Sequence, residues 1–374
     1  MQTFYRLVKK MDISMLVVVA LIIALGLIVL DSAAASKTSN YVMKQLLFVA
    51  LGTSTIFIFL TFDYSVLKNY SSKLYIAAMI LLVAVLIFGV KRGGARGWFA
   101  FPGGLTLQPA EFCKILMILS YAQFLSARRE ALYTFRELIP CFFFMVPPVL
   151  LLLLQPDLGS ALVYIFIMIG MLFMAGANRK ILFGIFGGGT ISLILYLIGV
   201  WKFDIWCPLK KYQLNRFLVL FDPSLDAQGA GYNVIQSKIA IGNGGLFGEG
   251  LYSGSQSTGA FLPEQWTDFI FAVMAEELGF IGAAALLLLY AFLLYRGLRA
   301  AMLSKDLYGT LVATGIVSMY LFHILENAGM TMGLMPVTGI PLPFVSYGGS
   351  SMLTNLLGIA ILQNIYIHRE RLIF

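Results

Sequence analysis

Charge is scarce in this chain: Asp, Glu, Lys and Arg make up 12% of its 374 residues, where soluble globular chains carry about a quarter. With 60% of positions hydrophobic and a mean hydropathy of +0.88, the sequence reads as a polytopic membrane protein. Histidine is almost missing. His323 and His368 are isolated, so an imidazole metal cluster or a Ser/His/Asp triad has no material to draw on. The three cysteines, Cys113, Cys141 and Cys207, include no CxxC pair, which argues against a disulfide scaffold and thiolate zinc. Chemistry is left to carboxylates, amines, guanidinia and backbone groups. The net charge of +8 does not point to nucleic acid, because basic residues in a membrane protein set topology and meet anionic membrane lipids.

Long apolar runs are what the sequence has instead. They lie at roughly 13–30, 43–62, 73–90, 110–127, 138–154, 159–176, 181–201, 268–295, 307–331 and 348–367, each near the roughly 20 residues a spanning helix needs. The fold class expected is an all-α polytopic membrane protein of about ten transmembrane helices. It forms one integral membrane domain over 1–374, with one large outer loop at about 202–265 and re-entrant outer segments. Met1–Asp12 carries Arg6, Lys9 and Lys10 beside Phe4, Leu7 and Val8, the pattern of a short interfacial helix. One set of loops holds Lys68, Lys73, Arg128, Arg129, Arg136, Arg179, Lys180, Arg296, Arg299, Lys305, Arg369 and Arg371. The positive-inside rule puts that set, and both termini, in the cytoplasm. Lys91, Arg92 and Arg96, and the segment from Lys202 to Gln265, then keep positive charge outside against the bias, which suggests an anionic ligand there.

Several polar stretches interrupt the apolar pattern. In Phe261–Gly279 a polar loop becomes a helix, with Pro263 suiting the entrance, Thr267 as N-cap and Asp268 on the first turn. Asp268 is a candidate general base; helix capping is the plain alternative. Glu111 and Lys114 share a helix face and mark the bundle interior, as an ion pair or as ligand contacts. Asp157, between Pro156 and Gly159, is a cap or a second acidic group of the same site. In the long loop, Gly229–Lys238 reads as a short amphipathic surface helix, and Ile241–Gly250 as a glycine-rich lid over a membrane-embedded ligand. The latter fits no nucleotide-binding spacing. Glu276, Glu277, Glu326 and Asn327 should face the interior. Met335–Ser351 has three prolines and no charge, the composition of a re-entrant segment that ends in Ser/Gly backbone donors suited to an anion.

Four of these stretches together resemble the SEDS family of cell-wall glycosyltransferases: Gln155–Gly159, Leu262–Ala272, Ala275–Gly279 and Pro343–Ser351. Pro336–Pro341 looks like the elongation member, whereas the division member usually has a Lys-Gly version. The resemblance implies polymerisation of lipid II, a disaccharide-pentapeptide on undecaprenyl pyrophosphate, at the outer face of the bacterial cytoplasmic membrane. It implies Asp268 as catalytic base, with Arg96, Lys91, Arg92, Glu111, Lys114, Asp157, Arg216, Glu264, Ser346 and Ser350 around the substrate. A requirement for a divalent cation stays open. The partners implied are a class B penicillin-binding transpeptidase and other elongation-complex proteins. Gly279, Gly282, Ala283, Ala284 and Ala285, on the eighth helix, offer small residues for docking, together with the ninth helix. A flippase for lipid-linked precursors and a scaffold for cell-wall enzymes are the other classes that ten helices with buried charge accommodate. The orientation is checked with fused reporters: one near Ser255 should be external and one near Lys305 cytoplasmic, and an external Lys305 would invert the topology.

Overall fold

The computed structural model describes residues 7–369 apart from 8, 36–39, 93–94, 102–105, 129–131, 204, 207–210 and 227. The interfacial helix expected at Met1–Asp12 lies largely outside the described residues. Among the described residues ten long helices run back and forth: α1 Ile13–Ala33, α2 Tyr41–Phe59, α3 Ser71–Phe88, α4 Pro109–Ser126, α5 Phe135–Leu154, α6 Leu158–Met174, α7 Arg179–Phe203, α11 Ile270–Met302, α12 Leu307–Thr331 and α13 Gly349–Ile367. Eight described helices are long and apolar enough to cross a membrane; α4, with Glu111 and Lys114 in its first turns, and the shorter α6 complete the set. Between α7 and α11 the chain folds into α8 Lys211–Leu218, a 3₁₀ turn at Pro223–Asp226, α9 Ala230–Asn243 and the single turn α10 Ser255–Thr258.

Local chemistry sets many of the boundaries. Asp12, Asn40, Asp157 and Asp306 each accept a backbone N–H of the helix they precede, satisfying donors that a helix start leaves free. Pro109 opens α4, where its missing N–H costs nothing. The all-α class holds, with one small addition among the described residues. Val90–Arg92, Ala95–Ala100 and Thr106–Leu107 form the strands β1, β2 and β3 of a small antiparallel sheet. The Gly93-Gly94 pair between two short runs was its sequence signal.

The bundle is organised around α12, of whose spanning stretch 83% is buried inside the protein. It packs against α11, α6 and α4, while α13 lies along α2. The ninth helix is therefore not a docking surface, because its faces are already covered. The outer face of α11 is open, with Phe280, Ile281 and Leu288 exposed. At the end where α1 starts and α11 finishes, Arg296 bonds Asp12 at 2.5 Å, Gln363 brackets the Asp12 backbone, and Lys305 meets Asp63 at 2.5 Å.

Helix α11 is broken at Gly279, whose φ of 65° and ψ of −168° leave the helical region. The glycine-rich segment repairs the break. Glu249 and Gly250 donate their N–H groups to Glu276 and Glu277 carbonyls at 2.9 and 3.1 Å, while Phe280 and Ile281 donate to Gly245 and Leu246 at 2.9 and 3.2 Å. The expected lid is thus a splice in a membrane helix, satisfying backbone groups that lipid cannot. Its glycines allow close approach: a Cβ on Gly248 would stand 2.1 Å from the Glu277 carbonyl. Gly279→Ala brings both the strain of a positive φ and a Cβ 2.3 Å from the Gly248 nitrogen. It should cost about 2 kcal/mol or more, read as a lowered unfolding temperature of the purified protein in detergent.

Candidate active site

A cavity of about 820 Å³ opens at the end of the bundle where α2, α4, α6, α11 and α13 begin. Its wall carries Lys44, Glu111, Lys114, Asp157, Arg216, Asp226, Glu264 and Asp268, with Tyr41, Trp98, Trp266 and Tyr347 among the aromatic lining. Tyr41 stacks on Trp266 with ring centroids 5.7 Å apart and meets Tyr347 edge-on at 4.7 Å. The site thus pairs an ionisable wall with flat apolar rings that can face sugar or lipid.

Asp268 is held by its backbone, which leaves its carboxylate for the cavity. It sits in a turn two residues ahead of α11, whose N-cap is Phe269, so the expected place on the first helical turn is corrected by that distance. Glu264, with φ of 49°, accepts the N–H groups of Thr267 and Asp268 at 3.1 Å. The re-entrant segment clamps the same turn: Tyr347 N–H donates to the Trp266 carbonyl at 2.9 Å, and the Ser346 hydroxyl donates to the Thr267 carbonyl at 2.6 Å. From α12, the Asn327 side-chain amide donates to the carbonyls of both Asp268 and Ile340 at 2.8 Å. Gly339 lies against the carboxylate, where a Cβ would come within 3.0 Å of Oδ2. Burial pushes the Asp268 carboxyl up to about 6, and the charge of Glu264 adds to this; Arg216 and the Thr267 hydroxyl pull the other way. A carboxylate so placed is both accessible from the cavity and more basic than usual.

Asp157, Glu111 and Glu326 each hold a structural contact. Asp157 caps α6 through Ser160 N–H at 3.0 Å and also accepts from the Ser160 hydroxyl at 2.8 Å and Gln108 Nε2 at 3.1 Å. Its cap reading is correct, although it still borders the cavity. Glu111 bonds Lys114 at 2.7 Å, both buried, and Lys114 also contacts His323 Nε2 at 3.1 Å. Glu326 accepts from Thr338 at 2.7 Å. Among the described residues no three His, Cys, Asp or Glu side chains converge to hold a metal ion.

The basic residues are distributed differently from expectation. Arg96 turns its guanidinium onto the carbonyls of Gly89 and Leu86 at 2.9 and 3.1 Å, closing the C-terminal end of α3, and it does not line the cavity. Lys91 is exposed on β1, and the side chain of Arg92 is outside those described. Arg216, from α8, does reach the cavity and approaches the Thr338 carbonyl at 3.4 Å. Ser350 lines it and accepts the Gln108 N–H at 2.9 Å, whereas Ser346 is buried as a clamp behind it. Sequence reasoning passed over Lys44, Tyr41, Gln108, Asn233 and Asp226, which all line the cavity. The signal for Lys44 was available: it is the lone charge in the apolar run of α2, and such residues face polar interiors.

Fold and site define a multi-pass membrane protein with an ionisable, aromatic-lined cavity confined to one end of its bundle. The chain belongs to the FtsW/RodA/SpoVE family of cell cycle proteins, whose model matches residues 12–371, as the motif resemblance indicated. It is 38% identical over 367 residues to stage V sporulation protein E of Bacillus subtilis, covering 95% of this chain and 96% of that protein. It is 34% identical over 371 residues to peptidoglycan glycosyltransferase MrdB of Escherichia coli K12, covering 99% and 97%. Among solved structures, the rod shape determining protein RodA of Thermus thermophilus superimposes with a TM-score of 0.70 at 30% identity, over 96% of this chain and 98% of that one. A chain from a peptidoglycan synthase complex that coordinates polymerization and crosslinking gives 0.79 at 35% identity, over 95% and 97%.

The Glu111–Lys114 pair yields a stability prediction. Lys114→Met strands the Glu111 carboxylate, which should cost about 3–5 kcal/mol. The double variant Glu111→Gln/Lys114→Met should regain most of it, as judged by thermal unfolding in detergent.

Proposed function

We propose that this protein is a peptidoglycan glycosyltransferase of the elongation type, polymerising lipid II at the outer face of the cytoplasmic membrane. The carrying observation is Asp268, a carboxylate raised to about 6 in the wall of a cavity it shares with Lys44, Lys114 and Arg216. Lipid pyrophosphate is an anion anchored in the bilayer, and a cavity at the end of a membrane bundle receives it beside its own leaflet. In the reaction the acceptor sugar hydroxyl gives its proton to Asp268 as its oxygen bonds to the anomeric carbon. The bond to lipid pyrophosphate breaks with its electron pair, and the three cations neutralise the departing anion. Direct displacement of an α-linked pyrophosphate inverts the centre and gives a β-linked glycan. Arg96, spent on α3 carbonyls, has no part in this scheme, and Asp157 orients the α6 entrance rather than taking the proton.

The orientation follows from the basic residues, since Lys68, Lys73, Arg128, Arg179, Arg299 and Arg369 border the end opposite the cavity. The positive-inside rule makes that end cytoplasmic and the cavity external. A transporter would need a polar route to both faces, whereas the cavity lining belongs to one end only. The similarity to a chain of a peptidoglycan synthase complex supports a class B penicillin-binding transpeptidase as partner, with the open face of α11 as its docking surface.

Two measurements test the chemistry. Asp268→Asn keeps the shape of the turn and removes the base, so polymerisation of lipid II by the purified, folded variant should fall by roughly 10² to 10⁴; near-parent activity would refute the assignment. The carboxyl must be deprotonated to act, and burial raises its pKa. The parent's rate should therefore climb with pH through about 6 and level off above it, in a limb that Asp268→Asn lacks.

A further inference from the structure

His323 is buried at the heart of α12, far from any loop, and the scheme above gives it no role. Its Nε2 stands 3.1 Å from the Lys114 ammonium, while Nδ1 has no partner. A lysine ammonium has three N–H donors and nothing to accept with. One donor goes to Glu111 Oε1 at 2.7 Å and a second to His323. Nε2 must therefore be an acceptor, and the imidazole is neutral with its proton on Nδ1. The third donor is left for the cavity, whose wall includes Lys114.

Glu111 supplies the reason a second anchor is needed. Its other oxygen, Oε2, is buried and without a partner, so a lysine held by Glu111 alone gains by swinging to meet both carboxylate oxygens. That motion draws the ammonium off the cavity. An acceptor on α12, across the interface from Glu111 on α4, opposes it. We propose that His323 is a positioning residue, holding the Lys114 ammonium between two helices so that its remaining N–H faces a phosphate oxygen of the lipid-linked donor. This rests on the cavity's assignment to a lipid pyrophosphate. Lys114 contacts the substrate; His323 acts only through Lys114.

The test compares the purified parent with His323→Leu and His323→Gln. Leucine removes the acceptor, and glutamine returns one in its side-chain oxygen. With lipid II as substrate, His323→Leu should raise KM about tenfold, the worth of one charge-assisted hydrogen bond. It should leave the rise in rate through pH about 6 in place, because Asp268 is untouched. His323→Gln should recover most of the lost affinity. A folded His323→Leu with parental KM, or a folded His323→Gln as impaired as His323→Leu, overturns the proposal. A readout without turnover is available because the chain has only two histidines. Imidazole ¹⁵N spectra of the labelled parent should show one ring with Nδ1 protonated and Nε2 bare and hydrogen-bonded. The Nε2 signal should move in Glu111→Gln/Lys114→Met. Protonation of both His323 nitrogens would overturn the proposal even if His323→Leu failed to fold. A parent that did not polymerise lipid II would instead remove the functional reading, leaving the spectroscopic arm to decide the Lys114–His323 contact.

Discussion

Irregular backbone at the end of a membrane bundle persists only where each N–H and C=O released from a helix finds a new partner in the protein. Asn327 is the residue through which the site meets that demand. Its amide, offered from the buried helix α12, takes the carbonyls of Asp268 and Ile340 together. It thereby joins the turn before α11 to the re-entrant segment before α13. Ser346 and Tyr347 close the same junction from the other side. The carboxylate of Asp268 is aimed because its backbone is so thoroughly used.

A comparable exchange of backbone groups occurs further along α11. Where α11 gives up its ladder at Gly279, the Gly244–Gly250 segment supplies two donors and two acceptors. Glu276 and Glu277, just before the break, turn their carboxylates to the same region. Glu276 accepts the N–H groups of Gln256 and Ser257 at 2.6 and 3.1 Å, and Glu277 accepts from Ser32 and from the Tyr252 N–H. These buried acids are held by backbone and hydroxyl donors instead of cations, with Oε2 of Glu277 left without a partner. They secure the inter-helix segment to α11 and α1, and so fix the frame on which the Asp268 turn rests.

Charge inside the bundle is arranged by the same economy. At the end away from the cavity, Asp12–Arg296 and Asp63–Lys305 pair α1 and the α2–α3 connection with the end of α11. At the cavity end the acids and bases are not all matched: Asp268 has an arginine near it but no ion pair, and Lys114 is shared between Glu111 and His323. Burial without full pairing raises the basicity of a carboxylate, and in the proposed reaction that basicity is the working property.

Much of this was legible in the sequence because the signals are local. Apolar runs placed the ten long helices of the described residues, to within a few residues except at the end of α11, which runs on to Met302, since hydrocarbon thickness dictates their length. Pro156 and Gly159 marked the α6 boundary that Asp157 caps, and the stretches around Asp157, Asp268 and Ser346–Ser351 carried the family. Tertiary structure decided what depends on contacts distant in sequence. Arg96 was claimed by the end of α3 rather than the cavity, the glycine-rich segment by the break in α11, Lys44 was brought to the cavity from α2, and His323 was set against Lys114 across 209 positions. Periodicity and composition report which face of a helix avoids lipid. Which partner waits on that face depends on how helices far apart in the chain pack, and that packing alone determined which charges line the cavity and which tie helices together away from it.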